Sequence, residues 1–314
     1  MLRPAGLREE VALAEHTTLR IGGPAQFFLS VSTRAELQSA LSWATEKGIP
    51  VAVLGGGANV VIADAGFPGL MVLMANETLV WGPNTVQVGA GTKLGFLIAQ
   101  SLRRGFGGLG WLIGVPGTVG GSIFGNAGSR DHALGDYVIS VTAVQPDGQT
   151  KKWEARDCHF RYRASRFKDE HQIIWEAELK LPAVDPVAER KVLVKAAEKK
   201  QSSQPLSDLT AGCMFTNPKV ERAQLPMSLQ NFLEPDSTIS AWRLVDMVGL
   251  KGKTIGGISV STQHANFMIN TGQGTAGEAV QLISFIKQRV RDTLGIQLQE
   301  EIQFLGFLPH AHHH

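Results

Sequence analysis

The chain has 314 residues, 43% hydrophobic and 18% charged, the balance of a folded globular protein with room for two or three domains. A formal net charge of +2 is too small for a nucleic-acid surface, and no apolar run approaches the roughly 20 residues that cross a bilayer. Two cysteines, Cys158 and Cys213, supply no disulfide framework and suit a reducing cytoplasm, and no cluster of histidine, cysteine or carboxylate has metal-ligand spacing.

Residues 27–30 read as a strand. Thr33 and Glu36 then form a capping box before a helix whose apolar face is Leu37, Ala40, Leu41 and Ala44, and Gly48 and Pro50 stop it. Residues 51–54 read as a short buried strand running into Gly55-Gly56-Gly57, which completes a β-α-β unit. Residues 137–144 and the segment after Gly148 read as a hairpin turned at Pro146-Asp147-Gly148. Residues 174–181 alternate, with Trp175, Ala177, Leu179 and Leu181 inward and Glu176, Glu178 and Lys180 outward. Asp185 and Pro186 open a helix that runs to about Lys200. The polar run 201–205 marks a domain boundary. Beyond it lies an α+β segment that closes in an amphipathic helix, with Ala279, Ile283, Ile286, Val290 and Leu294 on one face and Gly295 as C-cap. The N-terminus has no signal-peptide core, so the expected location is the cytoplasm, and the terminal histidines read as a tail outside the fold.

Glycine is the unusual count, at 35, and it clusters. The clusters are Gly55-Gly56-Gly57-Ala58-Asn59, Gly89-Ala90-Gly91-Thr92 and Gly114-Val115-Pro116-Gly117-Thr118-Val119-Gly120-Gly121. One such stretch is a tight turn, but three point to backbone N–H groups cradling an extended diphosphate. The single G-x-G-x-x-G match, Gly272 to Gly277, mimics a dinucleotide fingerprint. It reads instead as turn chemistry, because Thr275 and Glu278 form a capping box and only one strand follows the helix.

Further motifs recur in order: Thr18-Leu19-Arg20-Ile21-Gly22-Gly23, Asn126-Ala127-Gly128, Tyr162-Arg163-Ala164-Ser165-Arg166-Phe167-Lys168, Ala211-Gly212-Cys213-Met214-Phe215-Thr216-Asn217-Pro218, Gly249-Leu250-Lys251-Gly252, Ile255-Gly256-Gly257, Ser261-Thr262-Gln263-His264-Ala265-Asn266-Phe267 and Leu298-Gln299-Glu300-Glu301-Ile302. With the glycine loops, they resemble the UDP-N-acetylenolpyruvoylglucosamine reductase family from about residue 17 onward. The resemblance implies an α+β protein: a two-subdomain FAD-binding fold of the vanillyl-alcohol-oxidase/PCMH type plus a C-terminal α+β substrate domain. The implied boundaries are 1–66, with residues 303–310 packing back on it, then 67–204 and 205–302. It also implies non-covalent FAD, NADPH as reductant, a UDP-sugar substrate and a monomer or weak oligomer. The reaction would reduce the enolpyruvyl group of UDP-N-acetylglucosamine enolpyruvate.

By the same resemblance, Gly55, Gly56, Gly57, Ala58, Asn59, Pro116, Gly117, Thr118, Gly120 and Gly121 hold the cofactor. Asn217 and Lys251 contact substrate, and Arg163, Cys213 and Glu301 carry the chemistry. Cys213 stands where serine is common and Thr216 where lysine is common. With only Tyr137 and Tyr162, the chain resembles a shorter subclass that lacks a tyrosine-bearing loop. Without the resemblance, Arg163 reads as part of a basic patch with Arg161 and Arg166, Lys251 as a turn residue and Cys213 as a small buried hydrophobe. His264 reads as a core or flavin-adjacent residue. The competing readings are an oxidase on the same fold, a flavin-binding sensor and a flavin-free dehydrogenase.

Overall fold

Two sets of apolar side chains leave water separately, and they divide the chain into two compact units. The computed structural model describes residues 2–129, 131–145 and 148–307, so the turn residues Pro146 and Asp147 and the terminal histidines lie outside the described residues.

Unit one takes in residues up to Val11, Ala25–Gly56 and Pro68–Lys200. Its first sheet orders the strands Arg8–Ala12, Pro24–Val31, Phe67–Met74 and Val51–Leu54. Helix Arg34–Lys47 buries Leu37, Ala40, Leu41, Trp43 and Ala44. Its capping box forms as the residues dictate: Thr33 accepts from the Glu36 N–H, and the Glu36 carboxylate accepts from the Thr33 N–H at 3.1 Å. Gly48 ends the helix at φ +65°, left-handed space that favours glycine. Val51–Leu54 pairs in parallel with Phe67–Met74 but is an edge strand, not a buried one. Leu54 is buried while Val53 is 37% exposed, because no further strand covers that flank.

The second sheet orders Leu79–Trp81, Thr85–Gly89, Ile173–Lys180, Val138–Val144 and Thr150–Glu154, all antiparallel. Ile173–Lys180 sits in the middle, and Trp175, Ala177 and Leu179 are buried as their alternation requires. Glu176 departs from the expected outward face. It is buried because Arg34 covers that point and pairs with its carboxylate. Helix Pro186–Ser203 extends into the polar stretch; the Asp185 carboxylate accepts from the Val187 N–H at its start.

Unit two joins Ala12–Pro24, Gly57–Phe67 and Gln201 onward. Its sheet orders Leu209–Cys213, Phe267–Asn270, Ile258–Val260 and Thr254–Ile255. Helix Ala276–Leu294 buries Ala279, Leu282, Ile283, Ile286, Val290 and Leu294 in this unit's core, and Gly295 ends it at φ +70°. A separate parallel pair joins Gln303–Leu305 to Val60–Ile62. No helix among the described residues is long and apolar enough to cross a membrane.

The Gly272–Gly277 match is turn chemistry here too. The strand before it, Phe267–Asn270, pairs antiparallel with both neighbours, whereas the fingerprint needs a parallel β-α-β. The helix start that would face a pyrophosphate is already occupied: the Asp64 carboxylate accepts from the Ala276 and Gly277 N–H groups at 2.8 and 2.9 Å. Asp64→Ala should therefore destabilise the protein by about 1–2 kcal/mol, with Asp64→Asn recovering part of the loss. Thermal denaturation of the two variants beside the parent checks this, and an unchanged Tm for the alanine variant would refute the capping role.

Candidate active site

The three glycine stretches meet within unit one as far as residue 56. A Cβ on Gly56 would lie 2.7 Å from the Gly117 Cα, and one on Gly120 would lie 2.7 Å from the Ala90 Cβ. Backbone bonds lace the loops together: Val119 donates to Thr92 at 2.9 Å, Gly120 to Ala90 at 2.9 Å and Leu94 to Gly117 at 3.1 Å. Thr118 caps the short helix Val119–Phe124, its hydroxyl accepting from the Gly121 N–H. A groove of about 530 Å³ opens among these loops, lined in part by Gly55, Gly56, Gly91, Pro116, Gly117 and Thr118.

The lining fits a dinucleotide in two ways. Gly55 and Gly56 line the groove and their N–H groups have no backbone acceptor among the described residues, which leaves both donors for a diphosphate. Thr92 is fully buried between two lining residues, Gly91 and Lys93, and its hydroxyl likewise has no partner among the described residues.

Arg163 belongs to unit one and sits at φ +54°, an unusual conformation for a residue with a side chain. The loop that carries it is anchored at several points. The Ser165 hydroxyl donates to the Phe124 carbonyl at 2.7 Å, the Asn126 amide to the Arg161 carbonyl at 3.0 Å and the Lys168 ammonium to the Arg163 carbonyl at 3.3 Å. The arginines around it each have a partner, although Arg161 is exposed. Arg161 is paired twice with Asp169, at 2.8 and 2.9 Å, which holds that carboxyl below its usual range. Arg166 lies 4.0 Å from the Trp153 ring centroid.

In unit two, Cys213 ends the strand Leu209–Cys213 opposite Phe267, after an irregularity at Gly212, which has φ +79°. It is half-buried, whereas Cys158, in unit one, is fully buried with its thiol pushed up to about 12 by that burial. The next residue, Met214, accepts from the Glu301 N–H at 2.8 Å, and Phe215 bridges Glu300. The end of the Cys213 strand and the loop segment that carries Glu301 therefore run side by side. The Asn59 amide, from the end of the first glycine loop, donates to the Glu301 carbonyl at 3.1 Å. Gly57 is packed so tightly that a Cβ would collide with the His16 carbonyl, and Ala58 continues that loop in unit two.

Two family models match the chain: FAD binding domain over residues 25–153, and UDP-N-acetylenolpyruvoylglucosamine reductase, C-terminal domain, over residues 204–305. A UDP-N-acetylenolpyruvoylglucosamine reductase of Synechococcus sp. (strain JA-3-3Ab) is 35% identical over 301 residues, covering 94% of this chain and 90% of that protein. One from Carboxydothermus hydrogenoformans is 35% identical over 300 residues, covering 95% and 93%. The crystal structure of the Thermus caldophilus reductase is similar with a TM-score of 0.77 at 31% identity, covering 95% of this chain and 99% of that one. The chain belongs to the UDP-N-acetylenolpyruvoylglucosamine reductase family. Its α+β architecture, with an FAD-binding domain followed by the family's C-terminal domain, is that of the family.

Against that family membership, the two expected substrate contacts have structural partners of their own. Asn217 accepts from the Ala241 N–H at 2.9 Å and so caps helix Ala241–Met247. Lys251 pairs with Asp246 at 2.9 Å, both about a third exposed. The residues that escaped the sequence are Lys93, Phe96 and Glu77 along the groove, which belong to no motif.

His264 is an aromatic-cage residue, with ring centroids 6.1 Å from Trp242 and 4.8 Å from Phe267. Its Nδ1 accepts from the Asn266 N–H, and burial, helped by the Lys251 charge, pushes its pKa down to about 4. The folded value lies below that of a free imidazole, so the unfolded chain takes the proton first. Stability is complete above about pH 6.5 and falls as pH drops toward 4. His264→Gln should flatten the loss of Tm between pH 7 and 4.5; parallel Tm curves for parent and variant would refute it.

Proposed function

We propose that this protein reduces the enolpyruvyl group of UDP-N-acetylglucosamine enolpyruvate to give UDP-N-acetylmuramate for peptidoglycan, with NADPH as reductant and non-covalent FAD linking two half-reactions. The observation that carries this reading is the junction of the two chain segments that bear Cys213 and Glu301, tied by the 2.8 Å bond between the Glu301 N–H and the Met214 carbonyl.

When bound, FAD supplies hydride transfer. A hydride arriving at the terminal alkene carbon leaves negative charge on the neighbouring carbon, shared with the carboxylate, and that carbon then takes one proton. Cys213 gives that proton from its thiol, a stronger acid than the serine hydroxyl common at this position in the family. Arg163 and Glu301 hold and polarise the substrate carboxylate, Glu301 either protonated or engaged by the guanidinium so that it does not repel the developing charge. Asn217 and Lys251 contact substrate, the lysine acting on the diphosphate as a point charge. Residues 1–66 and 67–204 hold the cofactor and residues 205–302 the substrate.

The shorter subclass fits the two tyrosines: the Tyr137 hydroxyl donates to the Gly108 carbonyl at 2.7 Å, and Tyr162 stacks by Arg163. We place the enzyme in the cytoplasm as a monomer or weak oligomer.

The test is anaerobic and follows the visible flavin band. NADPH should bleach it, and UDP-N-acetylglucosamine enolpyruvate should restore it at once. Bleaching without recovery would move the enzyme to another acceptor. Yellow colour that stays with the denatured pellet would favour an oxidase with covalently attached flavin.

A further inference from the structure

Arg163 stands at the tip of a turn that its own side chain disfavours. Arg161 and Ala164 close the turn by exchanging backbone bonds, each N–H to the other's carbonyl at 3.1 Å, with Tyr162 and Arg163 between them. Arg163 has φ +54°, in the left-handed space where a turn ordinarily places glycine. In that conformation a Cβ crowds the carbonyl oxygen that follows it, so an arginine has to be held there by its surroundings. The carbonyl in question is the one to which the Lys168 ammonium donates, at 3.3 Å. Lys168 rises from a fixed base, the short helix Arg166–Asp169, on which Phe167 is fully buried. Ser165, just before that helix, is also fully buried and is bonded to the Phe124 carbonyl. On the other flank, the Asn126 amide donates to the Arg161 carbonyl while its oxygen accepts from the Gly135 N–H, both at 3.0 Å. All of these groups belong to unit one.

We propose that Lys168 is a positioning residue for the reaction: it holds the Arg163 backbone in the left-handed conformation from which the guanidinium meets the substrate carboxylate. It acts through Arg163 and not on the substrate. Glycine at position 163 would keep the turn unaided but would carry no charge. An arginine takes the glycine place of the turn only with a brace, and the lysine five residues later supplies it. Without the ammonium, the backbone at 163 relaxes toward ordinary φ, and the side chain that leaves from it is re-aimed. A misplacement of about 1 Å is enough to cost about 10²-fold in rate. The inference rests on the proposed function, in which Arg163 holds the substrate carboxylate.

The full-length holoenzyme is followed by stopped flow through both half-reactions, in the parent, Lys168→Met, Lys168→Arg, Arg163→Ala and the double variant Lys168→Met/Arg163→Ala. Lys168→Met should slow reoxidation of the flavin by UDP-N-acetylglucosamine enolpyruvate about 10–100-fold, while NADPH reduces the flavin at the parent's rate. Lys168→Arg keeps a donor and should recover part of that loss. The double variant should be no slower than Arg163→Ala, because a residue that acts through Arg163 then has nothing left to position. Should Lys168→Met not fold, the shorter, uncharged Lys168→Gln takes its place in the same comparison. Independently of activity, Arg163→Gly should melt above Arg163→Ala, since only glycine adopts the left-handed conformation without strain. Losses that multiply in the double variant, equal slowing of both half-reactions, or a glycine variant that melts no higher than the alanine one would overturn the proposal while leaving the function intact. A parent whose reduced flavin this substrate does not reoxidise would overturn both.

Discussion

Cys213→Ala should lower turnover about 10²–10⁴-fold, the usual contribution of a positioned proton donor, while NADPH still reduces the flavin at the parent's rate. The split follows from the chemistry. Reduction of the flavin needs no proton from position 213, whereas the alkene carbon that gains charge must take one. Cys213→Ser should restore much of the activity, since a hydroxyl in the same place still donates. The position is favourable for this, being half-buried at a strand end whose neighbour Met214 is bonded to Glu301. Stopped-flow measurement of the two half-reactions decides the matter. Reoxidation of the alanine variant at the parent's rate would remove Cys213 from the mechanism, and equal losses in both half-reactions would make its role structural.

Gly56→Ala should cost the protein its flavin. The added Cβ would sit 2.7, 3.2 and 3.4 Å from the Cα, C and N atoms of Gly117, all backbone, so no side chain can swing aside. Overpacking of this kind costs about 1–3 kcal/mol, which corresponds to flavin held roughly 10–100-fold more weakly if the loops part. Gly95 provides the control: it lines the same groove, but a Cβ there meets nothing within 4 Å. Gly95→Ala should purify as yellow as the parent. The ratio of visible to ultraviolet absorbance of each variant reads the outcome, and a fully yellow Gly56→Ala would refute the packing argument.

What was legible in the residues was mostly punctuation. Thr33 with Glu36 and Thr275 with Glu278 announced two helix starts, and Gly48 and Gly295 announced their ends, because capping is local chemistry. Helix Leu94–Arg103 was silent by the same logic: its N-cap is Lys93, with no side-chain cap bond, and no glycine stands at its C-cap. The buried Glu176 and the exposed Val53 depended on what packs alongside, Arg34 in one case and the sheet edge in the other, and neither neighbour is close in sequence. The glycine stretches suggested a diphosphate ligand, but their convergence is a tertiary fact, made by the contacts of residues 55 and 56 with 117 and 118. Asp64 escaped notice for the same reason, lying 212 residues from the N–H group of Ala276 that it caps.

The parallel pairing of Gln303–Leu305 with Val60–Ile62 bears on how the enzyme is made. A nascent chain emerges from the ribosome in order, and early segments begin to fold while later ones are still being translated. The strand at 60–62 must therefore wait for its partner through the synthesis of more than two hundred residues. Glu301, two residues ahead of that partner strand, arrives equally late. Translation products cut short before this point would lack both the strand and the carboxylate, so incomplete chains should be inactive and prone to proteolysis rather than partly competent.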